Sequence, residues 1–262
     1  MPAPARSSPP SGQQGEQPAL PEADARLARR LAVAALAAAG VAVPVGVLLF
    51  VVRSGWAPAR ALDESTADRL HQAALDSPAL AETLRVVSVV THPWVVRCVA
   101  CAAAVVAWRR GRRRLAAWVL VTVATGGVLG GLLKLLVHRA RPVLPEPVAS
   151  AGGYSFPSGH ALNSMLLAAT LVVLATPALR GRRRAGVWLA ALGFVLLVGF
   201  DRVALGVHYV SDVLAGWFVA LAVVTFMVLA FAEWRREEHL PPSSPARGLD
   251  PSRGAPHPGA RP

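Results

Sequence analysis

The sequence predicts an all-α membrane protein, a six-transmembrane-helix bundle with both termini cytoplasmic. Three observations support this fold class: hydrophobic residues make up 54% of the 262-residue chain, the mean hydropathy is +0.45, and arginines cluster between apolar stretches. Soluble domains rarely combine such hydropathy with a formal net charge of +12. Charge arranged in short clusters indicates membrane topology rather than nucleic-acid binding.

Composition divides the chain into three regions: disordered tails at 1–28 and 236–262, and a membrane domain at 29–235. The tails are rich in small and polar residues and proline, so they cannot bury a core. Six apolar segments follow one another in the membrane domain, at 31–52, 86–108, 115–137, 161–179, 185–200 and 211–232. A helix needs about 20 residues to cross the hydrocarbon layer. The fourth and fifth segments therefore need flanking residues to span it.

The first segment also has features of a signal peptide, since Arg29 and Arg30 precede an alanine-rich stretch. It is long for that role and follows a 28-residue tail, so a membrane helix is favoured.

Two arginine clusters set the expected orientation. They occupy the connections after the second and fourth segments, at 109–114 and 180–184. Cytoplasmic loops carry an excess of arginine and lysine. The connections 53–85, 138–160 and 201–210 are therefore expected to face outward.

The first outward connection contains a predicted amphipathic helix. Residues 63–66, Asp-Glu-Ser-Thr, precede Ala67 and Leu70, a pattern typical of a capped helix on the membrane surface. Such a helix is compatible with control of lipid entry and with a simple solvated connector.

Polar residues beside membrane segments are energetically expensive, and the first group of them closes the third segment. Lys134 is the only lysine among 27 basic residues, and Arg141 follows seven residues later. Cations at a membrane boundary often only extend to the interface. A compact ammonium in a chain that otherwise uses arginine favours a specific contact, such as one with a phosphate.

The second group, Ser158, Gly159 and His160, precedes the fourth segment. A glycine and a serine at a helix start offer N–H groups and a hydroxyl to an anion. Ser158 is equally compatible with an ordinary helix cap, and His160 with an interfacial histidine.

The third group is Arg202, His208 and Asp212. The last two are four residues apart, so on a helical turn the carboxylate can reach the imidazole and fix its tautomer. Asp212 is also compatible with a helix cap.

Topology places all three groups at the same face of the membrane, which indicates one site. Two histidines and an aspartate resemble a zinc ligand set. Three adjacent cations would repel a divalent ion and attract a phosphoryl group, so we expect an oxyanion site with no metal and no cofactor.

These motifs resemble the signatures of the type 2 phosphatidic acid phosphatase superfamily. The similar elements are Lys134 with six residues before Arg141-Pro142, the run Pro157-Ser158-Gly159-His160, and Arg202 with five residues before His208 and three more before Asp212. Arg139 and Ser155-Phe156 also look like bacterial members. Asp201 departs from the family, which often has serine there, and this places the phosphate affinity of Arg202 in question.

The resemblance implies that His208 is the nucleophile, that Asp212 orients it, and that His160 acts as acid and then base. It also implies a set of phosphate-binding residues: Lys134, Arg141, Ser158, Gly159 and Arg202. The expected protein is a multi-pass phosphatase of the cell membrane. It would act on a membrane lipid phosphate or diphosphate from the extracytoplasmic side.

Two other functions fit the same fold. A phosphotransferase would pass the phosphoryl group to an alcohol, and a lipid binder or transporter would keep the site without turnover. The intact set His160, His208 and Asp212 favours an enzyme over a binder. Neither the lipid nor the oligomeric state follows from the sequence.

Overall fold

The computed structural model describes residues 20–231, and within this range every regular element is a helix. We number eight α-helices in chain order, with a short 3-10 turn, Thr176–Ala178, after the sixth. They are α1 Leu20–Ser54, α2 Ala57–Leu75, α3 Pro78–Val90, α4 Pro93–Arg109, α5 Arg113–Val137, α6 Gly159–Ala175, α7 Gly181–Ala204 and α8 Val210–Ala230. The all-helical prediction is confirmed.

Among residues 20–231, five helices are long and apolar enough to cross a membrane: α1 from Leu31, α5, α6 with its 3-10 extension, α7 and α8. The fourth and fifth predicted segments do gain flanking residues, since their spans begin at Gly159 and Gly181 and the latter continues to Ala204. α1 begins at Leu20, inside the tail predicted at 1–28. The remainder of that tail and the predicted tail at 236–262 lie outside the described residues.

The second predicted span is not one straight helix. α3 and α4 meet at Thr91 and His92 with a bend of 45°, and only together do they have the length of a span. Pro93 opens α4 and explains the break, because proline has no N–H and its ring clashes with the carbonyl four residues earlier. His92 caps the new helix through Nδ1, which accepts from the N–H of Trp94 at 3.4 Å.

The predicted cap of the outward amphipathic helix is wrong. α2 begins at Ala57, with Trp56 at the cap position and no side-chain cap. Ser65 lies inside the helix, where its hydroxyl donates to the carbonyl of Leu62. Pro58 in the first turn is the better start signal, because proline needs no hydrogen-bond acceptor there.

α6 lies at the centre of the bundle and contacts α4, α5, α7 and α8, while α1 packs along α8. Trp118 of α5 donates from its indole nitrogen to the carbonyl of Met227 on α8 at 3.1 Å. Large apolar side chains such as Leu36, Phe50 and Leu189 remain on the outside, each at least two-thirds exposed. An apolar exterior around a partly polar interior is expected of a protein in lipid.

Candidate functional site

The predicted site residues come together at one end of the bundle. α5 and α7 end there, α6 and α8 begin there, and the loops 138–158 and 205–209 connect these ends. The arginine clusters lie at the opposite ends of α5 and α7. The site and the arginine clusters therefore lie at opposite ends of the same helices, one membrane span apart.

His208 is buried in the loop before α8, with only 3% of its surface exposed. Its Nε2 lies 3.1 Å from Nη1 of Arg141, and its Nδ1 lies 3.4 Å from Oδ2 of Asp212. The latter pair lacks the alignment of a hydrogen bond. A guanidinium can only donate, so Nε2 accepts and the ring proton resides on Nδ1, facing the carboxylate.

Burial lowers the pKa of His208 to about 4, because a charged imidazole loses its hydration. Asp212 opposes the change, whereas the charges of Arg141 and Lys134 add to it. The ring is therefore neutral at physiological pH, with a lone pair on Nε2. A neutral, oriented imidazole is the form that can attack phosphorus.

Asp212 is fully buried in the first turn of α8. Its Oδ2 accepts from the N–H of Tyr209 at 3.0 Å, and its Oδ1 accepts from Nη1 of Arg139 at 2.6 Å. The backbone carbonyl of Asp212 accepts from the N–H of Ser158 at 2.9 Å. This residue thus acts both as a helix cap and as the carboxylate behind His208, the two roles that the sequence left open.

Arg141 holds the two loops of the site together. Besides contacting His208, its guanidinium donates to the carbonyls of Gly152 at 3.0 Å, Gly153 at 3.0 Å and Val207 at 2.8 Å. Burial lowers the pKa of Arg141. The positive charge of the nearby Arg202 also lowers it, whereas the negative charge of Asp212 raises it. Arg141 remains charged at any ordinary pH.

Lys134, in the last turn of α5, donates from Nζ to the carbonyl of Tyr154 at 2.5 Å. The ammonium therefore has a specific contact, as the lone-lysine argument expects, but the acceptor in this structure is the loop that leads into α6. Its charge also acts on His208, so Lys134 lies within electrostatic range of the site.

Arg202 is 3% exposed and forms an ion pair with its neighbour Asp201, to which Nε donates at 2.8 Å. Its Nη1 lies 3.3 Å from both ring nitrogens of His160. Asp201 therefore takes part of the donor capacity of Arg202, and Nη1 is directed toward the site. The sequence placed the phosphate affinity of Arg202 in question because an aspartate precedes it, and the two side chains do form an ion pair.

His160 lies in the first turn of α6, with Nε2 3.3 Å from the carbonyl of Ser88 on α3. Its ring meets that of His92 edge to face, with centroids 5.5 Å apart. The bend between α3 and α4 thus forms the wall beside His160.

The Ser158-Gly159 turn is only partly available to an anion. Ser158 is buried and caps α6, accepting from the N–H of Ala161 at 3.5 Å, while its own N–H is bonded to Asp212. Gly159 is the first residue of α6, where N–H groups have no intrahelical acceptor. Of this pair, Gly159 is the better anion donor.

Two residues of the site were missed as site residues by the sequence reasoning. Arg139 was noted only for its resemblance to bacterial proteins, and Asp63 only as part of a helix cap, yet Asp63 is buried and paired with Arg139 at 2.8 Å. A signal was present in the spacing of Asp63, Ala67 and His71, which places a buried carboxylate and a buried imidazole on one face of α2.

An all-helical membrane fold with a polar site of this composition at one end defines the class of membrane-embedded, phosphate-handling proteins. The family model described as the PAP2 superfamily matches residues 115–236, slightly less than half of the chain. The resemblance inferred from the motifs is confirmed.

Three curated proteins are similar to part of the chain. The chain is 35% identical over 117 residues to phosphatidylglycerophosphatase B of Bacillus subtilis (strain 168), which is 44% of this chain and 56% of that protein. It is 33% identical over 116 residues to undecaprenyl-diphosphatase of Sulfolobus acidocaldarius, covering 41% and 50%. It is 31% identical over 126 residues to lipid A 1-phosphatase of Rhizobium johnstonii, covering 43% and 48%. The chain thus spans about half the length of the curated relatives it matches.

A solved structure has the same fold. It is the crystal structure of a transmembrane PAP2-type phosphatidylglycerolphosphate phosphatase from Bacillus subtilis. The TM-score is 0.59 with 22% sequence identity, over 76% of this chain and 98% of that one. At this identity the likeness concerns the fold.

Proposed function

We propose that this protein is an integral membrane phosphatase that hydrolyses a lipid phosphate or diphosphate monoester through a phosphohistidine intermediate, without a metal. The observation that carries the proposal is the environment of His208. Arg141 faces Nε2 and Asp212 faces Nδ1, so the ring is held in the tautomer that exposes a lone pair to an anion-binding group. The three relatives are all named as phosphatases of lipid phosphates or diphosphates.

In the first step, the Nε2 lone pair of His208 forms a bond to phosphorus, and the bond from phosphorus to the leaving oxygen breaks. That oxygen takes a proton from His160. Arg141, Arg202, Lys134 and the N–H of Gly159 are the donors that we assign to the phosphoryl oxygens. Asp212 stabilises the ring while it carries positive charge.

In the second step, water attacks phosphorus and gives a proton to His160. The nitrogen–phosphorus bond breaks, its electron pair returns to Nε2, and phosphate leaves. His160 thus serves first as acid and then as base, as microscopic reversibility requires of one group used in both steps.

We further propose that the membrane domain, 29–235, spans the bilayer six times, with the bent pair of α3 and α4 as one span. The arginine clusters would then lie in the cytoplasm with both termini, and the site would open on the extracytoplasmic side of the cell membrane. Support comes from the position of the clusters at the helix ends opposite the site. A substrate embedded in the outer leaflet would present its phosphate at this level.

The test is rapid-quench trapping of an acid-labile phosphoenzyme, with purified protein and a panel of phosphatidic acid, phosphatidylglycerophosphate and undecaprenyl diphosphate. Wild type should release phosphate from at least one lipid and form the labelled intermediate. His208→Ala should do neither, whereas His138→Asn, a change of an exposed histidine in the neighbouring loop, should do both. Label that persists in His208→Ala would show that another residue is the nucleophile.

The same preparation tests the role of metal. Activity should survive EDTA and be inhibited by vanadate, which occupies a phosphoryl site. A site that used zinc would lose activity as the ion was removed. Transfer of the label to an added alcohol in preference to water would identify a phosphotransferase instead.

A further inference from the structure

α2 presents one buried face to the catalytic loops. Asp63, Ala67, His71 and Ala74 are buried and recur every three or four residues, which places them on one side of the helix. His71 reaches the carbonyl of Glu146 with Nε2 at 2.8 Å. α2 is therefore a structural cover over the loops rather than a free helix on the membrane surface.

Asp63 is 5% exposed, and its carboxylate accepts three hydrogen bonds. Oδ1 accepts from the N–H of Ser211 at 3.0 Å, and Oδ2 accepts from the hydroxyl of Ser211 at 2.5 Å and from Nη2 of Arg139 at 2.8 Å. Arg139 uses its other terminal nitrogen, Nη1, for Asp212 at 2.6 Å. One guanidinium thus bridges the carboxylate of α2 and the carboxylate behind His208.

The bridge fixes the charge behind His208. Arg139 with Asp212 alone would sum to zero, and a neutralised carboxylate stabilises a charged imidazole poorly. Asp63 adds a second negative charge, so the three groups together carry one net negative charge. Asp63 and Asp212 together raise the pKa of Arg139 despite its burial, so Arg139 remains protonated.

We propose that Asp63 is a positioning residue for the reaction: it shares Arg139 with Asp212, and one net negative charge is thereby retained behind the nucleophile. This inference rests on the proposed phosphatase function. During attack on phosphorus the ring of His208 becomes positive, and the retained charge lowers the energy of that state. The other groups around His208 do not supply this stabilisation, since Arg141, Lys134, Arg202 and His160 are cationic or neutral and the carboxylate of Asp201 is paired with Arg202.

The decisive experiment compares Asp63→Asn, the double variant Asp63→Asn with Arg139→Gln, and the control Asp68→Asn. Asp68 is an exposed residue of the same helix, so its change removes the same charge far from the bridge. Asp63→Asn leaves zero net charge behind His208, whereas the double variant again leaves one negative charge, that of Asp212. All proteins are assayed for kcat and KM, and for the acid limb of kcat/KM against pH.

We expect Asp63→Asn to lower kcat about tenfold with KM within about twofold of wild type, as removal of one charge at this range predicts. Its acid limb should move to lower pH, because a less negative surrounding disfavours the protonated imidazole. The double variant should recover most of kcat and of the pH profile. Asp68→Asn should behave as wild type.

Two outcomes would overturn the proposal. One is wild-type kinetics in Asp63→Asn. The other is loss of activity in Asp63→Asn and in the double variant alike with an unmoved acid limb, the result expected of a purely structural ion pair. If Asp63→Asn alone does not fold, the double variant decides: wild-type-like kcat supports charge balance, and a tenfold loss contradicts it. An inactive wild type would instead count against the phosphatase function itself.

Discussion

Arg141 donates from Nη1 to Nε2 of His208 across 3.1 Å, so the cation and the predicted nucleophile are direct neighbours. A phosphoryl group attacked by Nε2 must replace this contact, and the guanidinium can then donate to a phosphoryl oxygen. The same contact makes His208 harder to protonate, since a positive charge lies beside the only nitrogen that can take a proton.

The first prediction concerns the pH dependence of activity. The pKa of His208 is lowered to about 4, so the ring stays neutral as the pH falls from 7 and is protonated only near 4. With a soluble aryl phosphate as substrate, kcat/KM should stay close to its neutral-pH value below about pH 6.5, where an ordinary histidine would become protonated. Asp212→Asn should shift this limb further down, because the carboxylate raises the pKa of His208. An acid limb centred near 6.5 in both proteins would contradict this prediction.

The second prediction concerns Lys134. Its Nζ is bonded to the carbonyl of Tyr154 in a position that a longer, planar guanidinium cannot reproduce. Lys134→Arg should lower kcat/KM on the order of a hundredfold, the loss of about 3 kcal/mol typical of one well-placed donor. Arg53→Lys is the matched control, because Arg53 makes an exposed contact with the carbonyl of Leu136. Equal activity of wild type and Lys134→Arg would refute the specific role of this lysine.

The third prediction concerns the close approach of α6 and α8. A Cβ at Gly216 would lie 2.8 Å from the carbonyl oxygen of Ser158 and 3.0 Å from the N of Leu162, both backbone atoms. Gly216→Ala must therefore separate the two helices that carry His160 and Asp212. We expect a loss of about 1–3 kcal/mol of stability, the usual cost of overpacking, together with reduced turnover.

Thermal unfolding in detergent, with phosphate release measured in parallel, checks this third prediction. Gly193→Ala is the control, since a Cβ there meets nothing within 4 Å. A Gly216→Ala protein as stable and as active as the control would show that the helices can separate without consequence.

The fourth prediction concerns topology. In a background with Cys98→Ala and Cys101→Ala, Pro147→Cys should react with a membrane-impermeant maleimide in intact cells. Arg112→Cys should react only after permeabilisation, because its cluster is expected in the cytoplasm. Both positions are exposed, so accessibility within the protein does not limit labelling. The reverse pattern would place the site in the cytoplasm.

The sequence by itself determined the helical membrane class and the resemblance to the superfamily. Both depend on local information: the length of apolar runs, the residues that flank them, and short motifs such as Pro157-Ser158-Gly159-His160. The convergence of those motifs also followed, because helices that cross a layer in alternating directions bring known ends to one face. Pro93 shows the limit of this reasoning. The apolar run around it predicts one straight helix, but the chain bends there by 45° without a change in composition.

Only the tertiary structure decided how α2 lies and what Asp63 contacts. The carboxylate of Asp63 and the guanidinium of Arg139 are 76 positions apart in the chain, and no local pattern pairs them. Hydropathy records how favourably a segment enters lipid, whereas the partner of a buried charge depends on which surfaces meet when the helices pack. For the same reason, the sequence pointed to Lys134 and Ser158 as polar residues near an anion, but their hydrogen bonds to Tyr154 and Asp212 became evident only in the folded chain.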